Sequence, residues 1–193
     1  MSDASIPRFV ASNLLSKRPK GGRVVDAATF MNLVGEEVAR AWRYDRMLSV
    51  ALAKIDPMDR PVGEAAPLTV EEISLAVLDC LSANLRAPDK IGPLGPGEFG
   101  LLLPETTPRQ ARIATERLRD HLSLTPLRKR GIMFEVTLSI GTASLTHRVR
   151  SAEQLLLTAR QEWRRARSRG GNCVAVALPP SGQTGHVRSA EMH

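Results

Sequence analysis

Leu94-Gly95-Pro96-Gly97-Glu98-Phe99-Gly100 is a glycine-proline turn that carries one acid between two short apolar runs. Ile91 to Leu94 and Phe99 to Leu103 read as strands bounded by turn residues, so Gly95 to Glu98 becomes the tip of a β-hairpin. Upstream, Phe30, Leu33, Val34, Val38 and Trp42 recur at helical spacing and predict an amphipathic helix over about 27–46, followed by a buried strand from Leu48 to Ile55. Thr69 with Glu72 forms a capping box, opening a helix whose Ile73, Val77, Leu78, Leu81 and Leu85 face inward. Downstream, Thr107, Pro108 and Gln110 start a helix to about His121. Ser151 with Gln154 repeats the device for a last helix that stops at Gly170-Gly171, before a strand from Asn172 to Ala177.

The order helix, strand, helix, hairpin, helix, strand, helix, strand predicts an α/β (α+β) domain in which helices cover a mostly antiparallel sheet. Residues 1–24 read as a basic flexible leader, 25–178 as the domain, and 179–193 as a disordered tail. No apolar run approaches the ~18 residues of a membrane span, and a signal-peptide core is missing, so the expected location is the cytoplasm and no membrane partner is expected. Cys80 and Cys173 are far apart and lack neighbours at ligand spacing; they read as buried thiols rather than a disulfide or zinc site. The formal charge is +7 and 22 of the 27 basic residues are arginine, which suits anionic or phosphate-bearing partners. An aromatic content of 4% leaves few stacking platforms, which argues against general nucleic-acid binding.

Four landmarks in order carry a family resemblance: Arg43-Tyr44, Gly95-Pro96-Gly97-Glu98-Phe99, Val136-Thr137-Leu138-Ser139-Ile140-Gly141 and Gly170-Gly171-Asn172. From about Asp26 to Val176 the chain resembles the GGDEF domain, the bacterial diguanylate cyclase module that condenses two GTP into cyclic di-GMP. The resemblance implies a palm-like fold and a metal held by two acids. One is the first aspartate of an Asp-x-Asp at the end of the first strand, and Lys54 stands there; the other is the third residue of the signature, and Gly97 stands there. An ammonium has only donors and glycine has no side chain, so both ligand positions are degenerate and no cofactor is expected. Lys54 either fills the vacated cation position and pairs with Glu98, or snorkels from the strand end.

Pro96 replaces a glycine that lets the backbone of Gly95 and its neighbours approach the nucleotide, and it removes an N–H. The family's late Ala-Lys-x-x-Gly-Arg-Asn reads Ala166-Arg167-Ser168-Arg169-Gly170-Gly171-Asn172, which keeps one phosphate-type cation, Arg167, and loses the other. Glu98 reads as a residual hydroxyl contact or a solvated turn carboxylate, and Glu71, loosely matching an acidic guanine contact, is explained by the first turn of its helix. The resemblance also implies a retained product site. The family's Arg-x-x-Asp before the hairpin is matched by Arg86-Ala87-Pro88-Asp89, suited to guanine by an arginine fork and a carboxylate acceptor. Arg23 to Asp26 and Arg117 to Asp120 share the spacing but not the position. Arg117 matches the arginine that completes such sites from the following helix; Arg112, with Glu116 and Arg119, fits a neighbour or a surface charge lattice.

The leading reading is therefore a GGDEF domain without cyclase activity that binds cyclic di-GMP through Arg86, Asp89 and Arg117 and signals to a protein partner. A homodimer is compatible with it. The alternative is a protein–protein interaction module without a nucleotide ligand; an active cyclase with relocated metal ligands is a distant third.

Overall fold

The computed structural model describes residues 23–58 and 68–177. The elements are α1 (Ala27–Tyr44), β1 (Leu48–Ile55), α2 (Val70–Ala83), β2 (Lys90–Gly95), β3 (Glu98–Pro104), α3 (Pro108–Leu124), β4 (Leu127–Lys129), β5 (Ile132–Phe134), β6 (Leu138–Ser144), α4 (Ala152–Ser168) and β7 (Val174–Val176). Five strands form one sheet in the order β2-β3-β1-β6-β7, with only the β6–β7 pair parallel. The expected antiparallel sheet under helices is thus present. No helix among the described residues is long and apolar enough to cross a membrane.

Alternation along β1 distributes two cores. Ala51 and Ala53 join Val77, Leu78 and Leu81 of α2 and Leu118 and Leu122 of α3, whereas Val50 and Leu52 join Phe30, Val34 and Val38 of α1 and Leu155 and Ala159 of α4. Helices therefore cover both faces of the central strand, which reads as a continuous buried run rather than an alternating one. On the second face, α4 approaches β6 at Gly141, where an added Cβ would lie 2.0 Å from the Trp163 amide nitrogen.

Thr69 and Thr107 make the full capping boxes expected of them. Ser151 makes half of one: it accepts from the Gln154 amide, but the Gln154 side chain accepts from the Arg150 amide. Trp42 is not a core residue. The residue is 38% exposed, its indole N–H donates to the Arg150 carbonyl, and Ala41 takes the buried place beside it. Leu85 is buried beyond the end of α2, α3 runs to Leu124, and β4–β5 is an additional hairpin.

The leader boundary also moves. Val24 bridges Ile91 in parallel, the Ile91 amide donates to the Arg23 carbonyl and the Val25 amide donates to the Ile91 carbonyl, so residues 23–25 extend the sheet. β2 is an edge strand whose outer backbone groups need partners, and this segment supplies them. The tail expected over 179–193 and most of the leader lie outside the described residues. Cys80 and Cys173 are half-buried free thiols, the first with its pKa raised by burial.

Candidate functional site

β1 and β3 set Lys54 directly opposite Glu98, and the Lys54 ammonium donates to Glu98 Oε1 at 2.5 Å. The ammonium also lies 5.5 Å from the centroid of the Trp163 ring. Lys54 is thus neither snorkelling nor free, and Glu98 is not a lone solvated acid. With side chains 40% and 37% exposed, the pair contributes little to stability; its consequence is chemical, since it occupies the carboxylate of the turn's own acid, Glu98.

At the hairpin tip Gly95 pairs with Glu98 around Pro96 and Gly97. Proline followed by a glycine at φ 68 has the type II turn signature. The Gly97 amide donates to Ser74 Oγ of α2 at 3.0 Å, and its carbonyl accepts from the Ile55 amide at 2.9 Å. Both backbone groups of Gly97 are therefore committed inside the fold. Phe99, the last signature residue, is a core side chain against α2 and α3. A divalent cation does not fit this corner: Lys54 offers donors, Gly97 no side-chain oxygen, and Glu98 is already paired. Among the described residues no three His, Cys, Asp or Glu side chains gather in a way that could hold a metal. Between the hairpin and α4 lies a pocket of about 120 Å³ lined by Lys54, Leu94, Glu98, Arg160, Trp163 and Arg164, smaller than the ~300 to 1,000 Å³ of ordinary ligand sites.

Asp56, two residues beyond Lys54, has a role that the sequence reading did not assign. Its carboxylate accepts from Ser139 Oγ at 2.6 Å, Thr137 Oγ1 at 2.8 Å, the Asn172 amide at 2.8 Å and Arg167 Nη1 at 2.9 Å. Burial pushes its pKa up, but the hydrogen bonds from Ser139, Asn172, Thr137 and Arg167 together outweigh it and hold the carboxyl below its usual range. Arg167, read as the retained phosphate-type cation, is 39% exposed and donates from Nη1 to Asp56, so part of its guanidinium is engaged within the fold. Gly171, where the family has its second cation, sits at φ 80 with an added Cβ only 3.0 Å from Asp56 Oδ1. No side chain fits there without moving the carboxylate.

The Arg86 to Asp89 turn lies at the other end of β2. Asp89 is only 4% exposed; its Oδ2 accepts from the Arg86 amide at 2.8 Å, and its own amide donates to the Arg86 carbonyl at 3.2 Å. Burial raises the Asp89 pKa against the opposing effects of that hydrogen bond and the charges of Arg86, Arg117 and Arg23. Arg117 reaches the turn from α3, its Nη2 donating to the Asn84 carbonyl at 3.1 Å. The structure thus brings Arg86, Asp89 and Arg117 together. Arg112 stays outside, paired with Glu116 one turn along α3, and Arg119 bonds Asp120 and the Asn172 carbonyl. Glu71 is exposed in the first turn of α2.

Arg23 is the residue the sequence reading passed over. Its Nε donates to the Arg86 carbonyl at 3.1 Å, while Asp26, its partner by spacing, caps α1 through the Thr29 amide. The signal that could have found it is the apolar pair Val24-Val25 directly after it, which fits an edge pairing.

The family model described as "Diguanylate cyclase, GGDEF domain" matches residues 30–173. The diguanylate cyclase DgcP of Pseudomonas aeruginosa is 29% identical over 142 residues; the match covers 74% of this chain and 21% of the relative, so the chain spans about a fifth of that protein's length. Among solved structures, the GGDEF domain of YfiN (TpbB) from Pseudomonas aeruginosa superposes with a TM-score of 0.71 at 20% identity, covering 80% of this chain and 97% of that one. The GGDEF domain of DgcB from Caulobacter crescentus, solved in complex with c-di-GMP, superposes with a TM-score of 0.65 at 15% identity over 79% and 88% of the two chains. These likenesses show a shared fold.

Proposed function

This chain belongs to the GGDEF family of diguanylate cyclase domains, and from that premise we propose that it binds cyclic di-GMP without making it and passes the signal to a protein partner. The observation that carries the reading is the convergence of Arg86 and Arg117 on the turn that holds Asp89, at the position of the family's product site. Arginine forks donate to guanine O6 and N7, and an adjacent carboxylate accepts from the opposite edge of the base. The complex of DgcB with c-di-GMP, on the same fold, supports the choice of ligand. Lack of turnover is supported by the other end of the hairpin. There an ammonium and a glycine stand where the family places its metal-ligating acids, and Arg167 is bound to Asp56.

Calorimetric titration with cyclic di-GMP tests the reading. Saturable binding is expected below about 100 μM ligand, and Arg86→Ala is expected to lose about 1 to 3 kcal/mol, roughly five- to 150-fold. Because burial raises the Asp89 pKa, affinity should weaken on acidification while an ordinary carboxylate would still be ionised. No heat at that ligand concentration, or wild-type binding by a folded Arg86→Ala protein, favours an interaction module with no nucleotide ligand.

Incubation with GTP and magnesium or manganese is expected to yield no cyclic di-GMP above a protein-free control. Accumulation of product would restore the cyclase reading and require metal ligands other than residues 54 and 97.

A further inference from the structure

The α2–β2 turn is gripped from two sides by guanidinium groups. Arg117 of α3 donates to the carbonyl of Asn84, and Arg23, from the segment before α1, donates to the carbonyl of Arg86. Each has spent one N–H on the backbone, and a guanidinium carries five. No carboxylate within salt-bridge distance is recorded for Arg23, Arg86 or Arg117 among the described residues, although several other arginines, including Arg46, Arg112 and Arg130, have one. Asp89, whose carboxylate feels all three charges, is turned into its own loop by the Arg86 amide. Three cationic forks from three separate stretches of chain thus flank one turn, with donors left over for an anion.

Arg23 differs from the other two in what holds it. Its carbonyl accepts from the Ile91 amide at 2.8 Å, and the Val25 amide donates to the Ile91 carbonyl at 2.9 Å, two residues beyond Asp89. Its side chain and its main chain therefore bind opposite ends of the same stretch, Arg86 to Ile91. An anion held partly by Arg23 must favour the state in which residues 23–25 are docked on β2, because undocking withdraws that guanidinium from the site. The coupling is reciprocal: releasing the segment weakens the ligand by the same factor that ligand removal weakens docking.

We propose that Arg23 is a third arginine of the cyclic di-GMP site, contacting the anionic diester, and that ligand binding thereby clamps residues 23–25 onto the edge of β2 and reports occupancy to the chain preceding α1. The inference rests on the proposed binding at Arg86 and Asp89 and extends it to a residue and an output.

The test combines calorimetry with hydrogen exchange at the Val25 and Ile91 amides, using cyclic di-GMP. Arg23→Gln keeps an N–H for the Arg86 carbonyl but removes the charge. It is expected to bind about five- to tenfold more weakly, with ligand-free exchange unchanged, and Arg23→Lys is expected to recover part of the loss. In the wild type, ligand should slow exchange at both amides, and in Arg23→Gln much less. Wild-type affinity in Arg23→Gln together with loss of binding in Arg86→Ala would overturn the role of Arg23 and leave the receptor reading standing. Unchanged exchange on ligand binding to the wild type would overturn the clamp. Absence of binding to the wild type would remove both.

Discussion

Gly141→Ala is expected to cost at least about 3 kcal/mol of stability, a large share of the ~5 to 15 kcal/mol of an ordinary domain, because the methyl group would enter backbone rather than side chain. An ideal Cβ there lies 2.0 Å from the Trp163 amide nitrogen, 2.1 Å from the Ala159 carbonyl oxygen and 2.6 Å from the Trp163 Cα. A side chain in the way can change rotamer; a helix backbone cannot, so α4 would have to lift from β6 and open the core that Leu155 and Ala159 share with Val50 and Leu52. Urea denaturation measures the effect. Gly35→Ala in α1 is the control: nothing lies within 4 Å of the added methyl, and alanine in a helix interior should stabilise by about 0.5 to 1 kcal/mol. Equal stability of Gly141→Ala and the wild type would mean that α4 does not approach β6 this closely.

The second large effect is expected at Asp56. Asp56→Ala removes the acceptor of four hydrogen bonds and leaves the buried Ser139 hydroxyl, the Asn172 amide and the Arg167 guanidinium without it. Breaking a fully buried ion pair costs about 3 to 5 kcal/mol; with Arg167 39% exposed, a loss of about 2 to 4 kcal/mol is expected. The pH dependence has a definite sign. The folded carboxyl lies below its ordinary range, so its stabilisation is fully present above the unfolded-state pKa and disappears as pH falls through the folded one. The stability gap between wild type and Asp56→Ala in urea should therefore be widest near neutrality and narrow in acid. A gap that grows on acidification would show that the hub is not an ionised carboxylate.

Local chemistry was legible in the sequence and distant pairing was not. Thr69 with Glu72 and Thr107 with Gln110 satisfy their own helix ends within four residues, so their residue types suffice. β1 was readable because six successive residues, Leu48 to Ala53, are apolar but for Ser49 and are buried on both faces. The β4–β5 hairpin escaped notice: its strands are three residues each, and its turn puts Arg130 at φ 50 before Gly131 at φ 83, where asparagine or aspartate would have signalled the geometry. In the site, Arg86 and Asp89 are close in sequence and carry their own motif. Asp56 instead collects partners from residues 137, 139, 167 and 172, and Arg23 meets Arg86 only because the sheet edge recruits its segment. No spacing rule encodes contacts of that reach.

The register of β1 also dictates when the molecule can form. Leu52 stands opposite Gly100 on one side and Gly141 on the other, so the central strand receives its first neighbour only after the hairpin exists and its second only after most of the domain has been made. Pairings of such long sequence separation are slow to close. A chain growing from its amino end carries its central strand with both edges open until β3 has emerged and with one edge open until β6 follows, and that interval is when it is most exposed to aggregation.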